Sequence, residues 1–161
     1  MRGYAPKGET PEAKLSTERK LRVNMMSAIT NQGKLRFMLY DGKMNQQRMM
    51  DFLKRLIKLN ERKVYIILDN LSVHHGKILK AWAVENKNKI EIFHLPSYSP
   101  DLNPSELFNG TLKREIVKRG NATTEKKFVS NVRSSAMKIQ RNKSLVKNLF
   151  NENSASYAAA A

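Results

Sequence analysis

Apolar and polar residues follow three rhythms along this chain, and each predicts a different element. Leu21–Thr30 (LRVNMMSAIT) and Lys34–Tyr40 (KLRFMLY) read as strands. In the second, Leu35, Phe37 and Leu39 alternate with Lys34, Arg36 and Met38, which places one face in a core. Asn31-Gln32-Gly33 between them is a short glycine-containing connection that suits a β-hairpin. Over Met44–Asn60 the period changes. Met49, Phe52, Leu53, Leu56 and Ile57 recur at spacings of three and four, the stripe of an amphipathic helix. Val64–Leu68 (VYIIL) is apolar throughout, the pattern of a central strand covered on both faces.

Gly76–Lys87 then reads as a helix with Ile78, Leu79 and Trp82 turned inward, and Ile90–Leu95 (IEIFHL) as a short strand. After Pro96-Ser97-Tyr98-Ser99-Pro100 a helix opens near Asn103, with Leu107, Phe108, Leu112, Ile116 and Val117 as its stripe. A last helix, from about Thr124 to Lys143, presents Phe128, Val129, Val132, Ala136 and Ile139. The order is hairpin, helix, strand, helix, strand, helix, helix. A mixed sheet with helices packed against it satisfies that order most simply. No repeat or linker divides the 161 residues, so 1–161 is expected to form one α/β domain.

Composition adds a partner to this picture. Thirty Lys and Arg face 14 Asp and Glu, a net charge of +16. So positive a surface attracts polyanions through counterion release, and nucleic acid is the first candidate. A solvated Lys-rich surface is the alternative. The excess is concentrated late: Thr111–Lys147 holds eleven Lys and Arg against Glu115 and Glu125. With 40% hydrophobic residues the chain can bury a core, and it contains no apolar run near the roughly 18–20 residues of a membrane span. The absence of Cys excludes a disulfide framework, a Cys-based zinc site and a thiol nucleophile. Residues 1–20 lack the apolar region of a signal peptide, which fits a cytoplasmic protein.

Two carboxylates are placed where chemistry is possible. Asp69 follows a buried strand directly, and strand carboxyl ends face the ligand crevice of open α/β sheets. Asp69-Asn70 can equally be a turn and helix cap. Glu106 stands at the third position of a helix capped by Asn103 with Pro104 first, a capping-box pattern that needs no catalysis. Both are hard oxygen donors suited to Mg²⁺, and two such ions would activate a water or a 3′-hydroxyl in phosphodiester chemistry. His74, His75 and His94 have no zinc-ligand spacing. Trp82 and most Met residues read as core.

The words between these acids carry more information than their spacing. VYIILDNLSVHHGK, followed by IEIFHLPSYSPDLNPSELFNGTLKREI, resembles the catalytic domain of mariner-superfamily transposases, in particular the bacterial insertion-sequence branch. That family has a hydrophobic strand ending in Asp-Asn, a His shortly after, and a Leu-Pro-x-Tyr-Ser-Pro-(Asp/Glu)-Leu-Asn-Pro-x-Glu signature. Here these are Asp69-Asn70, His74 and Leu95 through Glu106. Tyr4-Ala5-Pro6-Lys7-Gly8 and Lys147–Tyr157 resemble further family segments, so nearly the whole chain is covered.

The resemblance implies an RNase H-like fold, a DDE-type acid set and cutting and joining of double-stranded DNA at transposon ends with two Mg²⁺ or Mn²⁺ ions. Asp69 matches the second acid and Glu106 the third. The 36 residues between them slightly exceed the family's habit. Asn70 and His74 would lie near the site. Tyr98, Lys113, Arg114, Lys118 and Arg119 would contact DNA, with Phe108 packing the helix onto the sheet.

The family's first Asp, on the first strand of its sheet, falls upstream of Met1, as does the helix-turn-helix region. The expectation is an N-terminally truncated catalytic domain without its first strand, active or reduced to a basic DNA-binding or regulatory remnant. A weaker reading is a generic two-acid nuclease. Asp41 is a nearby acid, but Tyr40-Asp41-Gly42-Lys43 reads as a turn. A homo-oligomer, or a polypeptide from an upstream reading frame, would supply the missing strand and Asp. Bound to DNA, the protein would be nucleoid-associated.

Overall fold

A computed structural model describes residues 21–69, 76–96, 99 and 102–151. Strands β1 (Asn24–Ile29) and β2 (Leu35–Tyr40) form an antiparallel hairpin in register Asn24↔Tyr40 to Ile29↔Leu35. Its turn is closed by Thr30, whose amide donates to the Lys34 carbonyl at 2.9 Å and whose carbonyl accepts from Gly33 at 2.9 Å. Gly33 sits at φ +81°, the left-handed region that glycine enters without penalty. A Cβ there would also lie 2.5 Å from the Lys143 carbonyl oxygen.

Helix α1 (Gln46–Lys58) follows, capped by the Asn45 side chain, which accepts from the Arg48 amide at 2.9 Å. Then come β3 (Val64–Leu68), α2 (Lys77–Glu85) and β4 (Ile90–His94). β3 and β4 are parallel, as a helical crossover requires, in register Val64↔Ile90 to Leu68↔His94. The chain ends in α3 (Pro104–Val117), α4 (Glu125–Arg141) and α5 (Lys143–Asn148). Where one final helix was expected to run to Lys143, Asn142 breaks it, and its side chain caps α5 through the Leu145 amide.

Two hydrophobic cores lie on opposite faces of the hairpin. The first gathers Met26 with Met49, Met50, Phe52, Leu53 and Leu56 of α1, then Leu68, Leu79 and Ile90. Ala28, Met38 and Tyr40 of the hairpin pack against it, as do Val64, Ile66, Ile92 and Trp82. The second gathers Leu35 with Phe108 and Leu112 of α3, Ala136 and Ile139 of α4, Val146 of α5, and Leu149 and Phe150. Met25, Ile29 and Phe37 point into it. The expectation of one buried face for Lys34–Tyr40 is thus corrected: helices cover both.

The opposite correction applies to β3. Its apolar run predicts cover on both faces, yet Tyr65 and Ile67 are 66% and 49% exposed, with Phe93 of β4 at 47%. The α3–α5 layer covers the hairpin and leaves this face of β3–β4 open. Ile78 of α2 and Val117 of α3, both expected inside, are also exposed. Among the described residues the strands form two separate two-stranded sheets rather than one mixed sheet. No helix among them is long and apolar enough to cross a membrane.

Gly33→Ala meets both the φ penalty and the Lys143 carbonyl, so a loss of about 2 kcal/mol or more is expected in urea unfolding. An unchanged midpoint would show that the turn tolerates a side chain.

Candidate active site

β3 runs into Asp69, and β4 runs through His94 and Leu95 toward α3, whose first turn carries Glu106. The Leu95 amide donates to the Leu68 carbonyl at 2.8 Å, so the parallel pairing continues to the residue before Asp69. Asp69 is partly buried, and its Oδ1 is shut off from solvent.

At α3 the Asn103 side chain accepts from the Ser105 amide at 3.0 Å and Pro104 takes the first helical position. Glu106 is exposed, and among the described residues its carboxylate makes no hydrogen bond or ion pair. The reciprocal half of the capping box is therefore not formed. This leaves the carboxylate available to a ligand while the α3 N-terminus favours its charge.

Asp41 occupies the exposed turn after β2, beside Gly42 at φ +71°. Among the described residues, no three His, Asp or Glu gather where one metal ion could be held. Asn70, His74 and Tyr98 lie outside the described residues. His94, the last residue of β4, is exposed.

A packing feature at the start of α2 was not legible in the sequence. Gly76 is the N-cap of α2, with φ −63° and ψ 143°, a conformation any residue adopts. Its glycine is explained by space. A Cβ would fall 2.1 Å from both Cδ and Oε1 of Gln46 at the start of α1. Gln46 thus seats its amide on Gly76 and ties the first turns of α1 and α2 together. Its Oε1 is buried without a hydrogen-bond partner.

A family model described as DDE superfamily endonuclease matches residues 1–129, which include β1–β4, Asp69, Glu106 and all of α3. The chain belongs to that family. Among solved structures it is similar to the catalytic domain of Mos1 mariner transposase, with TM-score 0.53 and 11% identity, covering 85% of this chain and 80% of that one. At that identity the likeness establishes the fold, which is the RNase H-like one expected from the sequence. No curated protein sequence matches the chain.

The basic residues of this DDE endonuclease domain divide into two groups. Glu115 on α3 accepts from Lys118 at 2.7 Å and from Lys138 of α4 at 2.6 Å. The Lys118 ammonium, with that of Lys138, holds its carboxyl down at about 2. Arg119 Nε donates at 2.8 Å to Oγ of Ser135, a fully buried residue of α4. Lys138 and Arg119 thus join α3 to α4, while Lys118, paired with Glu115 on its own helix, stays largely exposed. Arg114 donates to Thr111 on its own helix at 3.0 Å. Lys113, Lys126, Lys127, Arg133, Arg141, Lys143 and Lys147 are exposed. The Glu115–Lys118 pair was readable as an i,i+3 spacing; the reach to Lys138 was not.

Two outcomes are expected. The Glu115 clamp stabilises the fold above the ordinary carboxyl value of 4.5 and is lost as pH falls through about 2. The Tm difference between wild type and Glu115→Gln should therefore be positive near neutrality and vanish across that window; a difference independent of pH would sink this assignment. Gly76→Ala displaces only the flexible end of the Gln46 side chain, so Tm should fall by no more than about 2 °C, and by less still when it is added to Gln46→Ala. Equal losses in both backgrounds would remove the steric explanation.

Proposed function

We propose that this domain is the DNA-cutting and DNA-joining core of a mariner-type transposase, with Asp69 and Glu106 as its metal-binding acids. The observation that supports this reading is that Asp69 stands at the carboxyl end of β3 and Glu106 in the first turn of α3, with no hydrogen bond or ion pair on the Glu106 carboxylate among the described residues. Both lie within the matched endonuclease region. The similar solved structure is the catalytic domain of a mariner transposase, which supports the same activity here.

The donor chemistry fits Mg²⁺ or Mn²⁺, since both groups are hard oxygen ligands and Glu106 has no competing partner among the described residues. When bound, such ions supply an activated water or 3′-hydroxyl and stabilise the departing oxygen. Asp69, on a strand end, and Glu106, on a capped helix, would hold them with little backbone freedom. Lys113 and Arg114, about two helical turns beyond Glu106, would bind the phosphates flanking the scissile one, and Tyr98 is a further candidate for DNA contact. Arg119 would also fix α3 on α4, and Lys118, exposed beside Glu115, would add a further phosphate contact. These contacts position duplex DNA without reading its sequence. Asn70 and His74 would orient groups beside Asp69.

A third acid would come from a partner, either a second copy or a polypeptide from an upstream frame. Localisation would follow the DNA, in the cytoplasm and on the nucleoid. The net charge of +16 also suits a second reading, a basic DNA-binding or regulatory remnant.

Calorimetric titration with Mn²⁺ separates the two. Asp69→Asn and Glu106→Gln should each weaken binding about tenfold or more. Affinities unchanged in both variants would overturn the metal assignment and leave the remnant. Duplex affinity should fall linearly on logarithmic scales with salt, and Lys113→Ala should lower the slope by about 1. A flat salt response would remove the DNA interface.

A further inference from the structure

Side chains alternate along β3 and β4, so the pair has two faces of different character. Val64, Ile66 and Leu68, with Ile90 and Ile92, pack on the α1 core. Tyr65 and Ile67, with Glu91 and Phe93, lie on the other face, where Tyr65, Ile67 and Phe93 are exposed. The Tyr65 and Phe93 rings stack with centroids 6.5 Å apart and planes 27° from parallel. Nζ of Lys63 stands 5.3 Å from the Tyr65 ring centre and pairs with Glu91 at 2.6 Å.

A solvated sheet face ordinarily carries polar residues, and an apolar patch on one marks a contact surface. The surrounding charge selects the partner. An apolar protein surface laid over Tyr65 would strip water from the Lys63 ammonium, at a cost. A polyanion with flat rings would not, because its rings stack on Tyr65 and Phe93 while its phosphates stay beside the cations. Those cations are present at the foot of the strands. Lys58, Arg62 and Lys89 border, with Lys63, a cleft of about 260 Å³ whose lining holds the single carboxylate Glu61. Lys58, Arg62 and Lys89 are exposed and make no ion pair among the described residues.

We propose that the open face of β3–β4 is a stacking platform for unpaired bases of single-stranded DNA, with Arg62, Lys63 and Lys89 holding its phosphates. Two rings on neighbouring strands offer seats for successive bases, and stacking accepts any base because every base has a π-face. Tyr65 precedes Asp69 by four residues, roughly 13 Å along the strand. The platform would thus receive a strand unpaired near the acids, and in this the inference rests on the role assigned to Asp69 above. Stacking itself needs neither acid nor metal, so either assignment can fail alone.

Fluorescence anisotropy of labelled oligo(dT) of about twelve nucleotides, titrated with the full chain in the absence of metal, tests the platform beside an abasic oligomer of equal length. The abasic strand should bind about tenfold more weakly. The double variant Tyr65→Ile, Phe93→Ile removes both rings while keeping apolar, strand-favouring side chains. It should bind oligo(dT) about tenfold more weakly and the abasic strand as the wild type does. Arg62→Ala should weaken both oligomers alike, as loss of a phosphate contact does. Equal wild-type affinities for the two oligomers would overturn the proposal without reference to any variant. So would an oligo(dT) affinity unchanged in the double variant. A wild-type chain that dimerises in sedimentation while the double variant stays monomeric would assign the face to a second copy and displace the platform.

Discussion

Burial of both faces of the β1–β2 hairpin is the constraint on which the rest of this structure depends. Side chains alternate across a strand, so Met26 and Ala28 look one way while Met25 and Ile29 look the other. Each face recruits its own helices: α1 on one side, α3, α4 and α5 on the other. A one-residue slip of the hairpin would exchange the two sets and break both cores together. Gly33 serves this arrangement twice, by allowing the tight turn and by letting the start of α5 approach it.

Placing α3 over the hairpin determines what happens at the acids. The helix is held by Phe108 and Leu112 in the second core, by the Glu115 bridge and by Arg119 on Ser135. Its first turn, which carries Glu106, is fixed with it. The same placement leaves Tyr65, Ile67 and Phe93 open, because the helical layer does not extend across β3–β4.

The positive charge of the chain has a double use. Some cations are structural: Lys138 and Arg119 satisfy partners between α3 and α4, and Lys118 pairs with Glu115 along α3. Others, from Lys113 to Lys147, remain exposed and are free to meet phosphates. Net charge alone could not make that division, since an ammonium on a carboxylate and one in water count equally in a sum.

Local patterns were sufficient for the element order up to the last helix, the hairpin turn, the cap at Asn103, and the candidacy of Asp69 and Glu106. These depend on periodicity and near-neighbour chemistry, which are written in adjacent residues. The family words around Asp69 and Glu106 were equally legible. The sequence could not decide which face of VYIIL stays open, because an apolar run looks the same whether or not a helix lies over it. Nor could it show that Asn142 divides the last helix, that Gln46 fills the space beside Gly76, or that Lys138 reaches Glu115. Each of those depends on distances between segments far apart in the chain, and only the packing of two cores around one hairpin sets such distances.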